Sequence, residues 1–329
     1  MPISWGHAPA WPRLLSRIIR KRIAKMIPKS RISDAVKKVF PHPAIKSIQL
    51  LPKGIINENY EVQLEDQALI VRTYPKEPWK ARKEEYLYGL LKKKGIPVPD
   101  VHAVDTSGKI MPRAYIILSA IKGERLSMQM KDSESRKLMQ SAGEILGKIH
   151  QIQMPKYGWI VDNKIKPAFD SWASFVKYDL EEKLSKLRNI KKVSPSLLNL
   201  IRTYFQESAS LLQIKQKPRL LHKDYHPSHI LVKDRKIAGI IDLEWAIAGH
   251  TEMDLAKTKL FLFDRNPETR KPFLLGYMKT GALSKDFTRR MPLYELSLLV
   301  SSLWFAHQNN QHVWFENDLK RIRHILSAQ

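Results

Sequence analysis

The sequence predicts an α+β fold of two lobes, a small β-rich N-lobe followed by a larger helical C-lobe, with a cleft between them. Three observations lead there. Short alternating or β-branched segments cluster between Ile45 and Ile121. Apolar residues at helical spacing dominate beyond Gly123, and a polar-tipped hairpin at residues 230–241 interrupts that helical part. With 329 residues, 43% hydrophobic and 27% charged, the chain is long enough for two cores and lies outside the disordered class.

Residues 1–40 form a basic, amphipathic N-terminal extension with ten Lys or Arg against one acid, Asp34. Leu14, Leu15, Ile18, Ile19, Ile23, Met26 and Ile27 recur as one apolar helix face would require, and Pro28 limits that helix. A helix over residues 12–27 fits either contact with an anionic lipid surface or a cover on the small lobe. The segment lacks the cleavage pattern and long apolar stretch of a secretory signal.

Residues 41–121 read as the N-lobe. Tyr60, Val62 and Leu64 alternate with Glu61 and Gln63, while Leu69 to Tyr74 and Tyr115 to Leu118 form two further strands. Gly108 marks a hairpin turn. Lys80 to Lys94 has helical spacing, with Leu87, Leu90 and Leu91 on one face, and Gly95 before Ile96-Pro97 ends it. Residues 122–329 read as the C-lobe, with helices over Ser135 to Ile152, Trp172 to Leu187, Ser194 to Ile214 and, in pieces, from Asp254 onward. The exception is the hairpin of Ile230 to Val232 and Ile237 to Ile241.

The net charge of +25 favours anionic partners. Its Lys and Arg are spread along the chain, without zinc-finger spacing, an aromatic RNA-binding signature or a continuous basic helix, so no specific nucleic acid is expected. The absence of cysteine excludes disulfides, thiolate metal sites and a cysteine nucleophile, and fits a cytoplasmic setting, peripheral at an anionic membrane if residues 12–27 dock there. No apolar run approaches the roughly 18 residues of a membrane span.

The segment with most chemical content is Leu221-His222-Lys223-Asp224-Tyr225-His226-Pro227-Ser228-His229, followed after the hairpin by Ile240-Ile241-Asp242-Leu243-Glu244. A loop acid and a strand-end acid separated by a short hairpin can serve one nucleotide: Asp224 would orient or receive an acceptor proton and Asp242 would hold magnesium on the phosphates. Glu244, two residues on, would face the same way along an extended strand and is a secondary metal candidate. Arg72 lies inside the apolar strand Leu69-Ile70-Val71-Arg72 and needs an acid partner. Glu84, on the helix face that holds Leu87 and Leu91, is the better choice and Glu85 the next.

These motifs resemble the aminoglycoside phosphotransferase and choline kinase-like family, whose loop reads His-x-Asp-x-x-x-x-Asn before a strand ending in Asp. The resemblance runs from about Ile45 to Leu260 and is strongest at residues 221–255. It implies a protein-kinase-like fold and an ATP- or GTP-dependent, magnesium-dependent small-molecule kinase. Asp224 is then the catalytic base, Asp242 a metal ligand, His222 a brace for the loop, and Asp254 a buried acid bonding that loop. Gly54, Asn57 and Tyr60 match the family's glycine-containing turn, and Arg72 with Glu84 the phosphate-gripping pair. Ser119 carbonyl and Ile121 amide, at the crossing between lobes, are the expected adenine contacts. His229 stands where most members have a metal-binding asparagine, although macrolide phosphotransferases carry a similar histidine. It is either an accepted ligand or phosphate donor in an active enzyme, or the mark of a noncatalytic nucleotide-binding scaffold of the same fold that docks on an anionic surface. Candidate acceptors by family analogy are an aminoglycoside, a macrolide or a small metabolite. Trp159, Trp172, Tyr178, Trp245, Trp304 and Trp314 are available as walls of the acceptor site. A protein substrate lacks support: there is no Asp-Phe-Gly, and eleven residues separate Asp242 from Asp254.

Overall fold

In the computed structural model, which describes residues 26–52 and 55–327, the N-lobe is an antiparallel sheet. Its strands β1 (Ser47–Leu50), β2 (Glu58–Gln63), β3 (Ala68–Tyr74), β4 (Val101–Asp105) and β5 (Ala114–Ser119) lie in the order β1-β2-β3-β5-β4. The register sets Tyr60 and Ile117 beside Val71, and Asn59 and Ile116 beside Arg72. Since side chains alternate across a strand, these two sets occupy opposite faces of the sheet. On the first face Tyr60, Val62, Leu69, Val71 and Ile117 are buried under α1 (Lys29–Val39), through Ile32, Ala35 and Val36. On the second, Tyr74, Ile116 and Leu118 are buried under α2 (Trp79–Lys93), through Ala81, Leu87, Tyr88 and Leu91. Gly95, at φ +66°, follows α2 as expected from its freedom in the left-handed region.

Most of the apolar series from Leu14 lies outside the described residues. Its last member, Ile27, is buried and donates its backbone N–H to the Tyr60 hydroxyl at 3.1 Å. Pro28 does not end a described helix but opens α1, where its fixed φ is preorganised and its missing N–H costs nothing. Thus α1 is packed onto the sheet although it falls within the segment read as an extension.

The chain leaves the N-lobe after Ser119 and crosses to β6 (Glu124–Arg125), which pairs with β10 (Ile230–Lys233) of the hairpin formed with β11 (Lys236–Ile240). Gly123 permits this contact, because a Cβ there would lie 2.6 Å from the Val232 carbonyl oxygen. The C-lobe helices are α3 (Ser133–His150), α4 (Trp172–Leu187), α5 (Pro195–Glu207), α6 (Glu252–Thr258), α7 (Arg270–Tyr277), α8 (Phe287–Gln308) and α9 (His312–Ser327). They match the predicted helices within a few residues, except that the third gives way to a 3₁₀ turn at Ala209–Leu212.

One feature was not expected from the sequence, a four-stranded sheet in the C-lobe ordered β8-β7-β12-β9, from β7 (Tyr157–Val161), β8 (Lys164–Phe169), β9 (Arg219–Leu221) and β12 (Ile247–Gly249). Two of its strands have only three residues, and β8 has no buried residue to create an apolar alternation. The sheet positions the site. Pairing of Ile247 with Leu221 brings the loop after β9 beside the start of α6. None of the described helices is long and apolar enough to cross a membrane.

Candidate active site

The loop after β9 is fixed by one buried acid. Asp254, in the first turn of α6, accepts the backbone N–H groups of His222 at 2.7 Å and Lys223 at 2.6 Å, and its Oδ2 lies 3.1 Å from His150 Nε2. Lys223 adopts φ +62°, which turns two successive N–H groups toward the same carboxylate. His222 ties the loop to the segment after the hairpin: its Nε2 donates to the Ile241 carbonyl at 3.2 Å, and its Nδ1 accepts the Asp224 N–H at 3.3 Å. Burial, then the nearby His229, pushes the His222 imidazole down to about 4, so it stays neutral and keeps the lone pair that this second bond needs.

His250 is likewise pushed down to about 4, by burial. In the unfolded chain each imidazole takes up a proton near 6.5, whereas in the folded chain neither does until about 4. The unfolded state therefore gains on acidification. Stability is expected to be full above pH 6.5 and to fall toward pH 4, by on the order of 3 kcal/mol per histidine. Thermal unfolding midpoints across pH 4 to 7 check this; a flat profile would contradict it.

Asp224 projects from the loop among cations and imidazoles. Lys257 Nζ lies 2.9 Å from its Oδ1, while His229 Nδ1 and His226 Nε2 lie 3.4 Å and 3.6 Å from its Oδ2. Burial acts to raise this carboxyl, but Lys257 and the two histidines outweigh it and hold Asp224 well below the usual carboxylate range. Lys257 was not singled out from the sequence. Its place three residues after Asp254, one turn along the same helix face, is the signal that could have found it.

Asp242 lies two residues beyond the end of β11, at φ +69°, with its N–H donating to the Tyr88 hydroxyl at 3.1 Å. Its Oδ1 accepts from Arg72 Nη2 at 2.9 Å and its Oδ2 sits 3.6 Å from His229 Nε2. Thus His229 stands between the two acids, touching Asp224 through one ring nitrogen and Asp242 through the other. Arg72 also pairs with Glu84 at 3.2 Å, whereas Glu85 is exposed. Burial pushes Glu84 up to about 7 even though Arg72 opposes the shift.

Three expectations need correction. Tyr60 does not reach the cleft, being buried on the face of the sheet opposite Arg72, where its hydroxyl donates to Glu58 at 3.0 Å. Glu244 does not stand free beside Asp242: the left-handed turn at Asp242 breaks the extended geometry that would align them. Its carboxylate instead accepts from Asn57 Nδ2 at 2.8 Å and Lys80 at 3.4 Å, and lies 3.8 Å from Arg72. Trp172 is buried core, donating to the Tyr294 hydroxyl. Gly54 lies outside the described residues. Ser119 ends β5, and Ile121 follows in the crossing segment. Lys80 and Lys83, both missed, complete the contact between lobes; Lys83 donates to the Glu244 carbonyl at 2.8 Å, and burial, then Lys80, pushes its amine down to about 7.

The assembled site thus joins Arg72, Lys80, Lys83, Glu84 and Tyr88 of the N-lobe to a loop acid and a post-hairpin acid of the C-lobe. Residues 47–293 match the phosphotransferase enzyme family. The chain belongs to that family. It is a phosphotransferase that acts on hydroxyl groups of small molecules. Among curated proteins none matches the chain by sequence. Several solved phosphotransferase structures share the fold. The crystal structure of aminoglycoside phosphotransferase APH(4)-Ia is 14% identical, with a TM-score of 0.70 over 91% of this chain and 99% of that one. A putative fructosamine-3-kinase from Haemophilus somnus is 22% identical, with a TM-score of 0.67 over 90% and 96% of the two chains. APH(2")-IIia, solved with GDP and kanamycin, is 16% identical, with a TM-score of 0.66 over 91% and 99%. At these identities the likeness establishes the two-lobed, kinase-like architecture of this phosphotransferase.

Proposed function

We propose that this phosphotransferase moves the terminal phosphoryl group of ATP, or of GTP, to a hydroxyl of a small metabolite held beside Asp224. The observation that carries the reading is the convergence of Asp224 and Asp242 on one space, with His229 within 3.4 Å of the first and 3.6 Å of the second. The nucleotide would lie between the lobes, its base against the backbone at Ser119 and Ile121 and its phosphates near Arg72. Family members of this fold solved with ADP, AMP-PNP or GDP support a nucleotide there.

Catalysis would come from positioning and electrostatics. Asp224, kept ionised, accepts a hydrogen bond from the acceptor hydroxyl and aims its oxygen at the phosphorus; a carboxylate so acidic takes the proton late, as a loose transition state allows. Arg72, anchored by Glu84, supplies a fixed charge for phosphate oxygens. Asp242 and His229 offer an oxygen and a nitrogen 3.6 Å apart, a donor pair that fits a divalent cation. Such an ion would offset phosphate charge.

An acceptor held beside Asp224 would stand next to Lys257, 2.9 Å from that carboxylate, which favours a neutral or acidic metabolite over a polycationic aminoglycoside. Lys257 lies 4.1 Å from the Phe261 ring centroid, while Lys223 and Lys183 lie 4.2 Å and 5.0 Å from that of Trp159. Burial pushes the Lys223 amine down to about 8, with Lys183 and Lys257 adding to the effect against Asp179. A further cation would deepen that repulsion.

ATP turnover across a panel of neutral, acidic and cationic hydroxyl acceptors tests the reading. Turnover with a neutral or acidic acceptor that vanishes in Asp224→Ala is expected; silence throughout, with nucleotide bound, would sink it. Thermal stabilisation by ATP with and without a divalent ion checks the ground state, and an ion that adds nothing would remove Asp242 and His229 from the metal role.

A further inference from the structure

We propose that the acceptor of this phosphotransferase carries an anionic group, a carboxylate or a phosphate ester, and that Arg265 is the residue that reads it. The proposal rests on the reading of Asp224 above for the place of the acceptor hydroxyl, and goes beyond it in assigning the charge at the acceptor's other end.

Three side chains make the site. Lys257, Phe261 and Arg265 follow one another at intervals of four residues from α6 outward. Lys257 meets the Asp224 carboxylate at 2.9 Å, and its Nζ lies 4.1 Å from the centroid of the Phe261 ring. Arg265 Cζ lies 5.2 Å from the same centroid. The half-buried Phe261 also stacks on His226 of the loop that carries Asp224, with ring centroids 5.3 Å apart and 19° between the planes. One aromatic ring therefore links Arg265 to the residues around the carboxylate.

The helix keeps the three in line. Beyond Thr258, α6 passes into a π-helical turn over Lys259–Phe263, where the Asp264 N–H donates to the Lys259 carbonyl at 2.9 Å. An α-helix completes a turn in slightly fewer than four residues and a π turn in more, so joining the two returns residues four apart to one face.

Charge decides what that face accepts. Lys257 answers Asp224, and Asp264, the neighbour of Arg265, turns instead to Lys259 at 3.0 Å and Arg321 at 2.6 Å. Among the described residues Arg265 has neither a hydrogen bond nor an ion pair, and it is exposed. Two cations thus share one ring and repel each other across it. An anion against Arg265 relieves that repulsion, and a guanidinium can hold two oxygens of a carboxylate or phosphate at once. An ammonium group in the same place would add a third cation.

The test uses the full chain with ATP, a divalent ion and a series of six-carbon polyols that differ in one end group. Hexonates and hexitol phosphates are the anions, hexitols the neutral members and amino-hexitols the cations; the two anionic arms show whether carboxylate or phosphate is read. KM for an anionic member is expected about tenfold below that of its neutral counterpart. Arg265→Gln should raise the anionic KM about tenfold while kcat and the KM for ATP stay within about twofold. Arg265→Lys should restore part of the loss, and Arg265→Glu should move the preference to the amino members. Equal KM for anionic and neutral members in the native chain overturns the proposal, as does an anionic KM that Arg265→Gln leaves unmoved. Where no member is phosphorylated, calorimetry of the same anions decides: binding about tenfold weaker in Arg265→Gln supports the proposal, and equal or undetectable binding in both chains overturns it. The two measurements also part the failures. Anions that bind through Arg265 without turnover would sink the reading of Asp224 alone, whereas turnover indifferent to charge would sink that of Arg265 alone.

Discussion

Asp224→Asn is expected to lower kcat roughly a hundred- to ten-thousand-fold while nucleotide affinity stays near the native value. The amide keeps the shape but loses the charge that orients an acceptor hydroxyl, and it no longer neutralises Lys257 at 2.9 Å. Steady-state kinetics with any acceptor found in the panel, beside calorimetry with nucleotide, separate the two effects. The neighbouring lysine supplies a companion result. Lys257 is the leading influence that lowers the Asp224 carboxyl against its burial, so Lys257→Met should raise it. Because the working form is the carboxylate, activity in this variant should start to fall at a higher pH on the acid side than in the native enzyme. An unchanged acid limb in kcat/KM would mean that Lys257 does not govern Asp224.

The largest effect on stability is expected at Arg72. Its guanidinium is buried against Glu84, Asp242 and Glu244, at 3.2, 2.9 and 3.8 Å. Arg72→Ala would leave these acids to repel one another, a change expected to cost about 3 to 5 kcal/mol, whereas an exposed pair costs at most about 1. Chemical denaturation measures it. Adding Glu84→Gln should recover part of the loss, because it removes one of the acids left uncompensated. Strict additivity of the two changes would show that the residues do not act as a unit. Nucleotide binding should weaken in both variants.

How much of this was legible depended on distance along the chain and on which face a strand turns inward. The Asp224 and Asp242 pair was readable because a single hairpin separates them, and the Arg72 partner because a charge in so apolar a strand must find one. Tyr60 was misassigned because alternation reveals the period of β2 but not which face looks into the cleft; here both faces of the sheet are covered, one by α1 and the other by α2. Glu244 was misjudged because nothing in the sequence announces the left-handed turn at Asp242. The brace formed by His150 and Asp254 joins residues 104 apart, and the bond from Asn57 to Glu244 spans 187, separations at which local pattern carries no information. Lys183, Lys223 and Lys257 were visible only as part of a diffuse +25 charge until the fold gathered them around Trp159 and Phe261.

The most direct test is a crystal structure with a non-hydrolysable ATP analogue and a divalent ion. The terminal phosphorus is expected between the carboxylates of Asp224 and Asp242, with the base against Ser119 to Ile121. A nucleotide seated outside the cleft between the lobes, or with its terminal phosphate remote from both carboxylates, would contradict it.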